Sequence, residues 1–171
     1  MKIAGSDITF IDFPTVDDWA VIIYFAGCNN NCVNCQNKEL QNPDYKSSIL
    51  SIQDEENLFN FIKDICKKQD TNKIVFSGGD PLYPTNREII KNFLNKYGSL
   101  YDICIYTGYS IDDVKKFGIH NFKFIKCGRY DESYKQTSEK TEDHIKLASS
   151  NQNFYDSNYE QLSKNGILNF K

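Results

Sequence analysis

Four short runs of apolar, β-branched and aromatic residues punctuate an otherwise polar chain: "WAVIIYFA" (residues 19–26), "KIVFS" (73–77), "DICIYT" (102–107) and "FKFIK" (122–126). Each has the length and composition of a buried strand. Between them the apolar period lengthens. Leu58, Phe61, Ile62 and Ile65 fall at i, i+3, i+4 and i+7, which predicts a helix with Ser51 as its cap. Ile89, Ile90, Phe93, Leu94 and Tyr97 mark a second helix, followed by Gly98 where a C-terminal glycine is favoured. A third, shorter helix is expected from Ser110, whose hydroxyl can cap it together with Asp113. Strands alternating with helices at these spacings predict an α/β fold with a parallel sheet and right-handed crossovers. From residue 128 onward the polar, tyrosine-bearing tail has no clear period. It is expected to be irregular, and its end "NFYDSNYEQLSKNGILNF" reads either as an edge strand or as a docking segment.

Composition narrows the function classes. A chain of 171 residues, 40% hydrophobic and 25% charged, matches one globular domain with a sizeable core. The net charge is −3 with Lys and Arg scattered, so there is no electrostatic case for a nucleic-acid or membrane partner. No apolar run approaches the roughly 18 residues of a membrane span, and "MKIAGSDITF" lacks the apolar core of a signal peptide. The expected location is cytoplasmic. There, six cysteines are expected to be free, metal-bound or catalytic rather than disulfide-paired.

In parallel α/β folds chemistry gathers beyond the C-terminal ends of the strands. Three loops rich in functional residue types fall there: "GCNNNCVNC", "GGDPLYP" and "TGYS". The first carries Cys28, Cys32 and Cys35 in the spacing C-x3-C-x2-C. Soft thiolates suit zinc or an iron-sulfur cluster. A closed zinc site would need a fourth ligand from Cys66, Cys104, Cys127, His120 or His144, none of which is paired with another ligand at short spacing. On a [4Fe-4S] cube three thiolates leave one iron open to substrate, which favours the cluster without excluding zinc. In the second loop Gly78 and Gly79 allow close approach of a ligand to the backbone, and Asp80 offers a carboxylate to an ammonium group. Taken alone, the same residues also describe an ordinary strand-to-helix turn.

Together, the cysteine loop after the first of these strands and Gly-Gly-Asp-Pro after the second resemble the radical S-adenosylmethionine (SAM) superfamily. The short length, "SGGDPL", "YTGYS" and "ASSNQN" are similar to the activating enzymes of anaerobic (class III) ribonucleoside-triphosphate reductases. The resemblance covers residues 8–153 and implies a single domain over residues 1–171 with a partial, open parallel (β/α) barrel. "DITFIDFPT" would be the lead-in to its first strand. It also implies site roles. Cys28, Cys32 and Cys35 would bind a [4Fe-4S] cluster whose open iron chelates SAM, and Gly78, Gly79 and Asp80 would fix the SAM ammonium. Asn34 and Gln36 would flank the adenine, and Thr107 would reach the ribose or sulfonium. The implied activity is reductive cleavage of SAM and formation of a glycyl radical on the reductase. The implied partners are the class III large subunit and a low-potential electron donor such as flavodoxin or ferredoxin.

Some positions depart from the family pattern. Asn30 and Asn34 stand where many members have His and Gly, and Cys127-Gly128 stands for the usual Asp-Gly. Lys146 is the nearest upstream cation where an arginine often precedes the Ser-Ser-Asn-Gln motif. Ser149, Ser150, Asn151 and Gln152 are expected to form a docking edge. Cys66, Cys104 and Cys127 are expected in the core, and His120 and His144 at the surface. Three rival functions are weighed: a different glycyl-radical activase, which is expected to be longer and often to carry added ferredoxin-like cysteine pairs that do not occur here, a small-molecule radical SAM enzyme such as a 7-carboxy-7-deazaguanine synthase, and a zinc-stabilised binding module.

Overall fold

A computed structural model describes residues 1–16 and 19–170. It contains ten strands, β1 (Lys2–Thr9), β2 (Ala20–Phe25), β3 (Leu50–Ser51), β4 (Lys73–Gly78), β5 (Asp102–Tyr106), β6 (Phe124–Cys127), β7 (Glu139–Lys140), β8 (His144–Lys146), β9 (Asn153–Asp156) and β10 (Ile167–Asn169). Three α-helices connect the central strands: α1 (Glu55–Gln69), α2 (Pro84–Tyr97) and α3 (Ile111–Phe117). The main sheet has the order β3-β1-β2-β4-β5-β6-β9. Its centre, β2 to β6, is parallel, whereas β1 and β9 run antiparallel on either side of it.

The predicted α/β class is therefore found, with all four expected strands and all three helices in place. The arrangement is a mixed sheet that runs from edge β3 to edge β9, and the described residues do not close it into a barrel. The antiparallel strands account for the difference. The segment taken as a lead-in is in part β1, which pairs with β2 over Thr9↔Ala20 to Ile3↔Phe25. The tail is not irregular either. Besides β9 it forms a second antiparallel sheet in the order β10-β8-β7.

Alternation along the parallel strands divides the core in two. Ile23, Phe76, Ile105 and Ile125 face the helices and pack against Leu58 and Ile62 of α1, Ile90 and Phe93 of α2 and Val114 of α3. On the opposite, inner face Ile22, Val75 and Cys104 pack with Phe13, Phe154 and the tail residues Ile145 and Leu147. The second sheet thus lies over the lower part of this inner face.

Two helix ends differ from expectation. Asp54, not Ser51, caps α1, its side chain accepting from Asn57 N, because Ser51 is held in β3 opposite Lys2. Gly98 is right-handed (φ −58) and continues into a 3-10 turn, so it is not a left-handed cap. Its missing side chain has another cause: a Cβ there would lie 2.4 Å from Asn121 O. At α3 the expected capping box forms, Ser110 accepting from Asp113 N while the Asp113 carboxylate accepts from Ser110 N.

Candidate functional site

The parallel strands deliver their loops to one end of the sheet, and the loop after β2 carries the three cysteines. Gly27 N donates to Leu40 O at 2.7 Å and Cys28 N to Gln41 O at 3.1 Å, which fixes the base of this loop to the segment that follows it. Cys28, Cys32 and Cys35 are all partly exposed free thiols. The other three cysteines are buried free thiols, Cys66 and Cys127 in the helix-side core and Cys104 in the inner one. Burial pushes the Cys66 thiol up to about 11 and the Cys127 thiol up to about 12, so neither offers a thiolate near neutral pH. Cys28 is also raised by burial, but N–H groups of Asn30 work against the shift.

Among the described residues, no three His, Cys, Asp or Glu side chains are gathered tightly enough to hold a metal ion. The three loop cysteines share a loop but do not converge on one point. Their chemistry nevertheless fits an iron-sulfur cluster: three accessible thiols on one loop, with the Asn30 backbone N at 3.5 Å and its Nδ2 at 3.3 Å donating to Cys28 Sγ.

Asp80 is fully buried and binds three loops to one another. Its Oδ1 accepts from Leu82 N (2.9 Å) and its Oδ2 from Gly108 N (2.9 Å) and Asn30 Nδ2 (3.1 Å). The single Thr107 hydroxyl proton is shared between the two oxygens, at 2.9 and 3.1 Å. The carboxylate therefore has its lone pairs occupied by the protein's own donors. Desolvation raises its pKa, and the hydrogen bonds from Gly108, Leu82 and Thr107 counteract that. Thr107 is buried as well, its hydroxyl turned to Asp80 and accepting from Tyr109 N.

The two glycines before Asp80 approach protein backbone rather than open space. Gly78 has φ +107, and a Cβ on it would lie 2.4 Å from Phe25 N. On Gly79 a Cβ would meet Leu40 O at 2.5 Å and Gly27 O at 2.6 Å. Their absence lets Gly79 N donate to Phe25 O (2.7 Å) and Asp80 N to Gly27 O (2.8 Å), which stitches this loop to the root of the cysteine loop. Asn34 and Gln36 are exposed on the cysteine loop, Asn34 in a left-handed conformation at φ 57.

A further residue in this bracing carries no sequence signal. Asn86, 1% exposed in α2, donates from Nδ2 to Ala26 O (2.9 Å) and to Asp80 O (3.2 Å). A lone Asn near a helix start does not announce that role. A cavity of about 570 Å³ lies far from this end. Trp19, Lys73 and Tyr101, at the N-terminal ends of β2, β4 and β5, line it.

The sequence signature described as a 4Fe-4S single cluster domain matches residues 19–155, from the start of β2 into β9. The chain belongs to this 4Fe-4S single cluster domain family. The match takes in the cysteine loop, the Asp80 node and the whole parallel centre of the sheet. Two similar proteins share a name. The anaerobic ribonucleoside-triphosphate reductase-activating protein of Enterobacteria phage T4 is 26% identical over 129 residues, 71% of this chain and 78% of the relative. That of Haemophilus influenzae is 29% identical over 99 residues, 55% of this chain and 61% of the relative.

In the "ASSNQN" segment, part of the same match, Asn151 is exposed and Ser150 partly so, while its other polar residues turn inward. Ser149 is fully buried and Gln152 nearly so. Ser149 Oγ accepts from Asp131 N (3.4 Å), Asn151 Nδ2 donates to Arg129 O (2.9 Å) and Gln152 Nε2 to Gly128 O (3.0 Å). These residues secure the turn after β6 to the start of β9. No helix among the described residues is long and apolar enough to cross a membrane.

Proposed function

We propose that this protein is a radical SAM activase that generates a glycyl radical on an anaerobic ribonucleoside-triphosphate reductase. The observation that carries the reading is the junction of three loops at one end of the sheet: the cysteine loop, Gly-Gly-Asp-Pro and the Thr107–Gly108 turn, tied through Asp80. The family match to a 4Fe-4S domain and the names of both relatives support it. In this reading the open parallel sheet β2-β4-β5-β6 serves as the half-barrel of radical SAM type.

Cys28, Cys32 and Cys35 would hold the [4Fe-4S] cluster, and Asn30 would orient Cys28. When bound, the cluster supplies the electron that cleaves the sulfur to C5' bond of SAM. Asn34 and Gln36, exposed on the cysteine loop, would approach the adenine. With its oxygens committed to Leu82, Gly108, Asn30 and Thr107, Asp80 holds the surrounding backbone in position and draws an ammonium toward the site by its charge. Direct capture of the ammonium would require displacing Asn30, the one side-chain amide among those donors. The large reductase subunit would be the substrate, and a flavodoxin or ferredoxin the electron donor.

The test is anaerobic reconstitution followed by reduction in the presence of SAM, with and without a class III reductase. A glycine-centred doublet in the electron paramagnetic resonance spectrum of the reductase is the expected result. A protein that takes up zinc but no iron and sulfide, or that turns over a small molecule while the reductase gains no radical, would overturn it.

A further inference from the structure

The three loop thiols are not equivalent. Asn30 serves Cys28 Sγ with two donors, its backbone N–H at 3.5 Å and one N–H of its side-chain amide at 3.3 Å, whereas among the described residues no hydrogen bond reaches the sulfur of Cys32 or Cys35. The amide has a second N–H, and this one goes to Asp80 Oδ2 at 3.1 Å. A single planar group therefore bridges a thiol and a fully buried carboxylate. Turning the amide off the sulfur would also take it off Asp80.

The amide is held sterically as well. A Cβ on Gly108 would lie 2.1 Å from Asn30 Nδ2 and 2.5 Å from its Cγ, so the bare glycine backbone is what leaves room for it. Gly108 N donates to the same Asp80 oxygen at 2.9 Å, which sets carboxylate, glycine and amide against one another. Cys28 belongs to the braced root of its loop, its own N donating to Gln41 O at 3.1 Å. The N–H···S contact is thus built into the fold of the chain, on the thiol whose backbone is fixed. Bracing the loop needs only the Asp80 contact, and the other N–H is aimed at a sulfur that the proposed function makes a cluster ligand.

Resting on the cluster reading of the three cysteines, we infer that Asn30 is a positioning residue that raises the reduction potential of the cluster, by donating to the Cys28 thiolate from an amide locked between Asp80 and Gly108. One-electron reduction adds negative charge that spreads onto the ligand sulfurs. An N–H dipole fixed on one of those sulfurs stabilises the reduced form more than the oxidised one.

The experiment is an anaerobic redox titration, followed by electron paramagnetic resonance, of cluster-reconstituted wild type, Asn30→Ala, Gly108→Ala and the double variant. Iron, sulfide and thermal melting are recorded in parallel. Asn30→Ala should keep its iron and hold about tenfold less reduced than oxidised cluster, compared with wild type, at a fixed potential, which is a midpoint about 59 mV lower for a one-electron couple. Gly108→Ala leaves Asn30 and all three thiols in place but pushes the amide aside, so its midpoint should fall as well. The double variant should fall no further than Asn30→Ala alone, because both changes remove one contact. An unchanged midpoint in iron-replete Asn30→Ala, or shifts that add in the double variant, would overturn the inference and leave Asn30 a loop brace, with the proposed function standing. Should Asn30→Ala lose its cluster, the midpoint of Gly108→Ala decides alone, and an unchanged value overturns the inference. Wild type that takes up zinc but no iron and sulfide would overturn the proposed function, and the inference with it, on metal content before any potential is measured.

Discussion

The cysteine loop and the Asp80 node sit side by side at the C-terminal end of the sheet, but only one of them is finished. Asp80 is fully buried and takes hydrogen bonds from Leu82, Gly108, Thr107 and Asn30, so every donor aimed at it belongs to the chain. Across the loop, the three thiols are partly exposed, are not gathered around one point, and from residue 31 to 36 the backbone makes no hydrogen bond to another segment among the described residues. A finished polar node contributes stability by itself. The thiol loop is braced at its root through Asn30, but its outer part has only its chemistry in place, which is the expected state of a ligand loop whose organisation comes from what it binds.

Removing the thiols gives the largest effect that would break this contrast. Cys28→Ala, Cys32→Ala or Cys35→Ala should each reduce iron in anaerobically reconstituted protein to near background, while urea denaturation of the cluster-free protein shifts by less than about 0.5 kcal/mol. Cys104→Ala should do the opposite. It should retain iron and lose about 1–2 kcal/mol of stability, because Cys104 is fully buried in the inner core. Loss of iron in folded Cys104→Ala would remove the distinction between the two sets of cysteines.

Asp80→Ala addresses the other side. It leaves the Leu82 and Gly108 N–H groups, the Thr107 hydroxyl and the Asn30 amide without their acceptor, so a loss of about 3–5 kcal/mol is expected in the cluster-free protein. Chemical denaturation measures it, and a change below about 1 kcal/mol would show that water replaces the carboxylate easily. Gly78→Ala is expected to cost about 2–4 kcal/mol, since it adds a left-handed strain at φ +107 to a clash with Phe25 N at 2.4 Å. An unaffected melting temperature would mean that β2 and β4 separate readily at this end.

The smallest effect concerns pH. Burial raises the folded-state pKa of Asp80 above that of an ordinary aspartate, so the folded state holds this proton more tightly than the unfolded state does. Stability from this group is therefore greatest below the unfolded pKa, falls as pH rises from there through the folded pKa, and is flat above it. Asp80→Asn should remove this decline from the stability profile. Identical pH profiles in wild type and Asp80→Asn would show that the surrounding N–H groups cancel the desolvation.

Much of the fold was legible because it depends on periodicity. The runs around Ile22, Val75, Ile103 and Ile125 are strands, and the i, i+3, i+4 positions of Leu58 and Ile62 face the core as expected. In the tail the edge-strand alternative is met by β9, but the second sheet was not legible, because β7, β8 and β10 are only two or three residues long and gain their apolar surroundings from the inner face of a distant sheet. The cap of α1 followed the same logic: Ser51 and Asp54 are both good cap residues, and pairing of Ser51 with Lys2 decided between them.

What the sequence determined by itself is local: the cysteine spacing, the Gly-Gly-Asp turn, the capping box at Ser110 and the alternation of strand and helix all involve residues within a few positions of one another. Tertiary structure alone decided that Gly78 and Gly79 make room for neighbouring backbone, that Asp80 spends its oxygens on Asn30 and Thr107, and that Ser149 and Gln152 face inward. The reason is physical. Spacing specifies which residue types share a turn, but hydrogen-bond satisfaction and close packing are set by groups far away in sequence, such as Asn30 and Asp80, which are 50 residues apart and meet only because parallel strands bring their loops to the same end of the sheet.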